Sequence, residues 1–483
     1  MAAAIHSENV PRFVRGAAGP ALVLALAAAW TLLRGIDHRF ISFSDGVYMY
    51  TASVAAVNGL HELYHGIALS LPPGTLILAT LVWKLSPHIE SIRLALGLVS
   101  GVTGLLTYRV ARTLFGLGVF ASVVAVLVAL AGPVHAQFVA LEGETFVSPL
   151  ALGLAIALER RRDVTCLAIL GLGFLFKLTW APFVVAAMVA LALRSGWRRA
   201  LAIGAGAVSF AFALYAVAVW TFDWSPHQLV VQLLLAQSHS GFQLGLGLGI
   251  LAAVLAMWWP LLLLAAPGWS QVGTSVRLVI AAAAACSLFM FKQGTFFNVL
   301  DPLEPFLAIL AVTGACVLWK RSARRMRAVV ALCALGAGLH IASVTSGPLA
   351  RALPFPLGAA FVDTDNEAEV DRVAAAIAAH SRRRDPVLVS PLFALVADRS
   401  EPTQSVDWFV LRSLERLCGK HTDLDPHCTD WHKVKSSRLA VVGVDSNVVS
   451  FDPSFRQDTG VASLDLILSI DKPPIKTKLY ARR

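Results

Sequence analysis

A polytopic α-helical membrane protein of about eleven spans, followed by a small C-terminal α/β domain, is the fold class this sequence predicts. Three observations predict it. Of 483 residues, 57% are hydrophobic and only 14% charged, at a mean hydropathy of +0.69, where soluble proteins carry roughly 25% charge. The apolar residues fall into runs separated by short polar loops. Near residue 350 that pattern stops and charge returns. So apolar a chain would expose large greasy patches in water, which excludes a cytosolic enzyme, a nucleic-acid-binding protein and a disordered scaffold.

The first apolar run, about 16–33, lacks a convincing small-residue cleavage site and reads as a retained anchor. Later runs are expected at 93–108, 114–134, 145–158, 164–176, 180–193, 200–221, 246–267, 277–290, 297–319 and 328–348. Several are shorter than the roughly 20 residues of a straight spanning helix. Whether the apolar stretch 72–87 crosses cannot be read from hydropathy.

Charge orders these runs. The net charge is +10, and basic and acidic residues balance within 351–483, so the whole excess lies in 1–350. Arg12/Arg15, Arg109/Arg112, Arg160–Arg162, Arg194/Arg198/Arg199, Arg277 and Lys320 to Arg327 all fall on the cytoplasmic side if 72–87 does not cross and 164–193 is two helices. The N-terminus is then cytoplasmic and the C-terminus outside. Nucleic acid is not needed to explain the basic character. The outer loops become 35–92, 135–144, the Phe176–Trp180 turn, 222–245 and 291–296, and the acids and histidines among them share one face. Charge at membrane depth usually marks a functional path.

Two domains are therefore expected, 1–350 and 351–483. In the second, Val370–His380 has helical spacing, while Val387–Val389 and Leu439–Val442 read as short buried strands. Cys166, Cys286, Cys316 and Cys333 fall in spans and read as small apolar residues. Cys418 and Cys428 match no standard zinc spacing, and a disulfide is the simpler reading outside the cell.

The first outer loop carries Phe43-Ser44-Asp45-Gly46-Val47-Tyr48, then His61-Glu62-Leu63-Tyr64-His65, and ends Leu71-Pro72-Pro73-Gly74. Three more passages stand out: Glu142-Gly143-Glu144; Phe176-Lys177-Leu178-Thr179; and Lys292-Gln293-Gly294-Thr295-Phe296-Phe297-Asn298 before Pro302-Leu303-Glu304-Pro305. Together with 386–409 they resemble the GT-C superfamily of polyprenyl-phosphate-sugar-dependent membrane glycosyltransferases, in particular bacterial mannosyl- and arabinosyltransferases. Each motif alone is loose, and the resemblance covers most of the chain.

The resemblance implies that Asp45 is the catalytic base; a helix cap or solvated loop acid is the alternative. The chemistry asks for a carboxylate there, because the acceptor hydroxyl must lose its proton as it attacks the anomeric carbon. A polyprenyl phosphate leaves readily, so one base and a phosphate clamp suffice, with inversion expected. Glu142 and Glu144 would position the acceptor or, with Asp45, hold a divalent cation such as Mg or Mn, although no Asp-x-Asp surrounds Asp45; a helix-capping role is the other reading. Lys292, Lys177 and Arg351 are candidates for the donor phosphate, against headgroup snorkelling. Tyr48, Tyr64, His65 and His239 are candidate sugar or acceptor contacts, against an interfacial aromatic belt for the tyrosines.

The expected partners are a polyprenyl-phosphate sugar, a glycan, lipid or protein acceptor, and the plasma-membrane bilayer. A transporter or polymer flippase, and a non-catalytic partner of envelope assembly, are the alternatives. Against a transporter stand the odd span count and the lack of repeat symmetry.

Overall fold

The computed structural model describes residues 19–26, 43–130 (apart from 66, 68 and 70), 141–235 (apart from 142), 242–321 (apart from 293–296), 331, 335–336, 364–399 (apart from 384–386 and 388–390), 439–442, 464–472 and 475–482. Five helical segments among them are long and apolar enough to cross a membrane: Ile89–Thr113, Leu178–Ser195, Trp197–Phe222, Gly247–Trp269 and Thr274–Phe291. Of the other expected spans, some form shorter helices, such as Val119–Leu130 and Asp163–Phe176. Others, such as 328–348, lie almost wholly outside the described residues. Large apolar side chains point outward, Trp220 at 86% and Phe212 at 70% exposure, so it is hydrocarbon that must cover them.

The apolar stretch 72–87 folds as Gly74–Leu85, a helix of 12 residues. At 1.5 Å per residue that is about 18 Å, too short for a core of about 30 Å, so it does not cross as a straight helix. The run 164–193 is two helices, Asp163–Phe176 and Ala181–Ser195, broken where Lys177 turns extended (φ −154°, ψ 135°). A 3₁₀ turn, Leu178–Trp180, then leads to Pro182 in the first turn of the next helix, where its missing N–H costs nothing.

Two cores result. One lies among Glu144–Glu159, Ala181–Ser195, Leu244–Trp269, Thr274–Ala285 and Glu304–Arg321, and holds Val147, Trp180, Trp258, Met290 and Phe306. Gly268 and Gly314 let two of these helices meet backbone to backbone: a Cβ on Gly314 would strike the Leu264 carbonyl. The other core joins Phe43–Asn58 and Gly74–Leu85 to the helices Thr364–His380 and Pro391–Ala397, through Met49, Leu76, Val373, Leu392 and Phe393. Gly46 sits directly against Leu392. Further along the C-terminal segment, three strands form an antiparallel sheet in the order Leu439–Val442, Ile475–Arg482, Leu464–Lys472. Val387 is buried outside regular structure, so the strand expected at 387–389 is not seen at its described residue.

Arg160, Arg161, Arg162, Arg194, Arg198 and Arg199 gather at one end of the bundle. Arg194 donates to the Leu158 carbonyl and pairs with Asp163 at 3.4 Å, and Arg199 also pairs with Asp163. Glu144–Glu159 runs from Glu144 to this end, so Glu144 lies about 24 Å away at the other end.

Candidate active site

The site is built on one break in a helical run. After Phe176 the chain turns extended, and the indole of Trp180, fully buried, donates to the Leu170 carbonyl at 3.0 Å and stacks on Phe183. That anchor fixes the turn carrying Lys177. Two glycines let other loops reach its backbone: a Cβ on Gly143 would meet the Phe176 carbonyl at 2.5 Å, and one on Gly74 the Leu175 carbonyl at 2.6 Å. Phe146 stacks on Phe176 at 4.7 Å. Leu71–Gly74, Gly143–Glu144 and Phe176–Lys177, far apart in sequence, thus meet.

At this meeting point Glu144, the first residue of its helix and almost wholly buried, faces Lys177. Its Oε2 accepts a hydrogen bond from Nζ at 2.9 Å, and Oε1 lies 2.7 Å from the same nitrogen, an ionic contact. The helix N-terminus also favours this carboxylate.

Lys292 ends the 3₁₀ segment Cys286–Phe291 and bridges Phe242 in an antiparallel contact, with Gln243 N–H donating to the Phe291 carbonyl at 2.8 Å. Phe242 and Phe291 stack at 5.8 Å. The Cys286 thiol reaches toward the Thr179 carbonyl, so this segment lies against the Lys177 turn. Burial, and then the nearby Lys177 ammonium, hold Lys292 below the ordinary lysine range. Together Lys177, Glu144 and Lys292 carry one net positive charge in a half-buried place, which favours an anion.

The other expected site residues fall as follows. Asp45 lies in the first turn of Phe43–Asn58, one residue before Gly46 on Leu392; its side chain is outside the described part. Glu142, Arg351, His239, Cys418 and Cys428 lie outside the described residues. Tyr48 is buried in the second core. His65 is exposed.

Tyr64 lies inside the second core. It is fully buried, its hydroxyl donates to the Leu71 carbonyl, and its ring packs edge-on against Trp224 at 5.1 Å. The loop 59–71 folds back on itself, with Tyr64 at φ 63°, and so draws an apparent interfacial aromatic into a core. Burial raises its phenol pKa well above the usual range.

Sequence reasoning assigned no role to four polar residues. Gln232 is fully buried, accepts from Leu69 N–H at 2.8 Å and donates to the Tyr64 carbonyl at 3.2 Å, pinning the first outer loop. The signal was there, one amide inside Leu229–Leu235. Glu304 is buried and accepts from the Trp258 indole at 3.0 Å, which ties the 298–304 segment to its partner helix. Asp301 and Arg93 are also buried.

A divalent cation fits Glu144 poorly, because Lys177 already engages both oxygens of its carboxylate. Among the described residues no group of three His, Cys, Asp or Glu side chains is arranged to hold a metal ion.

No family model matches the chain, and no curated protein matches it significantly. Solved structures do. ArnT from Cupriavidus metallidurans in the apo state aligns at TM-score 0.62 and 13% identity, over 97% of this chain and 98% of that one. ArnT bound to undecaprenyl phosphate aligns at 0.60 and 14%, over 95% and 97%. The archaeal oligosaccharyltransferase AglB from Archaeoglobus fulgidus, in complex with an inhibitory peptide and a dolichol-phosphate, aligns at 0.49 and 10%, over 87% and 69%. At such identities the likeness to ArnT speaks for the fold alone, and nearly end to end this chain has that fold.

Proposed function

We propose that this protein is a membrane glycosyltransferase that moves a sugar from a polyprenyl phosphate to an envelope glycan, lipid or protein on the extracytoplasmic face. The observation that carries the reading is the convergence of the Pro-Pro-Gly loop, Glu144, Lys177 and Lys292 on one net-positive turn, at the bundle end opposite the arginines. The fold shared with ArnT, a protein captured with undecaprenyl phosphate, supports it. The positive-inside bias supports placing the arginine end in the cytoplasm and this end outside.

The chemistry follows. The donor phosphate lies against Lys292 and the Lys177 turn. Asp45 accepts the proton of the acceptor hydroxyl as that oxygen attacks the anomeric carbon. The carbon–oxygen bond to the phosphate breaks, its electrons stay on the phosphate oxygen, and the configuration inverts. The cations stabilise the charge that the phosphate gains. Glu144 holds Lys177 in place and does not itself take the proton. The 351–483 segment is an extracytoplasmic domain that shares a core with the first helices, and its helix Pro391–Ala397 braces the Asp45 turn.

Purified protein given a panel of polyprenyl-phosphate sugars and envelope acceptors is expected to release polyprenyl phosphate with at least one of them, and Asp45→Asn to lower the rate by about 100-fold or more. Full activity in the folded Asp45→Asn protein would remove Asp45 as the base.

A further inference from the structure

The arginine end of the bundle does more than mark topology. Two helix junctions meet there. One is Arg160-Arg161-Arg162 between Glu144–Glu159 and Asp163–Phe176; the other is Arg194 to Arg199 between Ala181–Ser195 and Trp197–Phe222. They are riveted together by one acid and two arginines. Asp163 takes Arg194 and Arg199, and Arg194, largely buried, also caps the Leu158 carbonyl.

That rivet leaves Arg160, Arg161, Arg162 and Arg198 exposed and, among the described residues, without a side-chain partner. The backbone of the first junction is tightly closed. The helix closes with Arg160, Arg161 and Arg162 N–H groups bonded back to Ile156, Leu158 and Ala157 carbonyls, and Arg161 sits in the left-handed region at φ 55°. A side chain there costs about 1 kcal/mol, and the chain places an arginine where glycine would be free. Trp197, 64% exposed, stands in the second junction beside Arg198, and exposed tryptophans belong in the headgroup layer.

We infer that these two junctions form a binding site for the phosphodiester headgroup of an anionic phospholipid, with Arg160, Arg161, Arg162 and Arg198 as its cations. A lipid fits better than free phosphate for a geometric reason. The junctions end apolar helices whose outer faces show Val164 (81% exposed) and Leu193 (71%), so acyl chains pack just below the guanidinium groups. Planar guanidinium forks match phosphate oxygens in pairs, and each cation at a membrane surface adds to the attraction for anionic lipid. The site owes nothing to the sugar-transfer reading and lies at the opposite end of the bundle.

The test is native mass spectrometry of the delipidated full-length protein titrated with phosphatidylglycerol or phosphatidylcholine. The wild type is expected to keep phosphatidylglycerol roughly tenfold more than phosphatidylcholine, and R160Q/R161Q/R162Q/R198Q to lose most of that preference. Arg109→Gln, an exposed arginine outside the cluster, is expected to keep it. If the fourfold variant does not fold, R161Q/R198Q carries the test with a smaller drop. An unchanged preference in the folded variants, or none in the wild type, overturns the inference. So does equal competition by inorganic phosphate, which would make this a free-anion site.

Discussion

A lysine and a glutamate 33 residues apart hold the candidate site together. Glu144 is buried and Lys177 nearly so, and removing one member of such a pair strands the other's charge. Glu144→Leu is expected to destabilise the protein by about 3 kcal/mol, and Glu144→Leu with Lys177→Met by much less; single losses that simply add in the double variant of a thermal-unfolding cycle would show that the two do not couple. Lys292 titrates in the opposite sense to an ion-paired group. Its folded pKa lies below the ordinary 10.5, so between those two values the unfolded chain binds more protons, and stability rises with pH there. The same depression removes the ammonium early: donor KM should climb at a pH below 10.5 in the wild type, while Lys292→Arg, which stays charged, should keep the donor at that pH. A pH profile shared by both would detach Lys292 from donor binding. Both lysines stood out in the sequence as lone cations in apolar stretches. That Glu144 pairs with Lys177 did not, because the contact exists only after two antiparallel helices pack. The burial of Tyr64 was hidden for a related reason: nothing in His61–His65 announces that the loop turns inward.

The close approaches between elements depend on glycines at specific positions. Gly143→Ala pushes a methyl onto the Phe176 carbonyl, and Gly46→Ala onto Leu392; overpacking of this kind costs typically 1–3 kcal/mol. Gly245→Ala, where a Cβ meets nothing within 4 Å, should be neutral or raise stability by up to about 1 kcal/mol. Thermal unfolding of the three variants separates them, and an equal effect at all three would deny the close contacts. Gly46→Ala should also lower kcat more than KM, since it shifts the turn bearing Asp45. The break at Lys177 was legible in the sequence, because two helices were needed to keep every arginine cluster on one side. The 72–87 stretch was not, since hydropathy counts apolar residues and does not say where Ser86 and Pro87 end a helix. The contact between Phe43–Asn58 and Pro391–Ala397 joins segments more than 300 residues apart in sequence, beyond the reach of any local pattern.

Across the whole molecule, charge separates the two ends. Arg194 and Arg199 knit one end together around Asp163, and Lys177 pairs with Glu144 at the other, with Lys292 near Lys177, about a helix length away. Composition made the membrane class plain, and the arginine positions gave the order of the runs, because both depend on the bilayer rather than on packing. The two cores and the meeting of Gly74 with Leu175 depend on tertiary contacts and emerged only with the structure. Sugar transfer from a lipid phosphate requires that phosphate to lie at the lysine end. A photoreactive polyprenyl phosphate, cross-linked to the full-length protein in a membrane mimetic and mapped by peptide mass spectrometry, locates it. Cross-links around 177 and 292 that fall sharply in Lys292→Ala are the expected result. Cross-links confined to 160–163 and 194–199 would contradict the account.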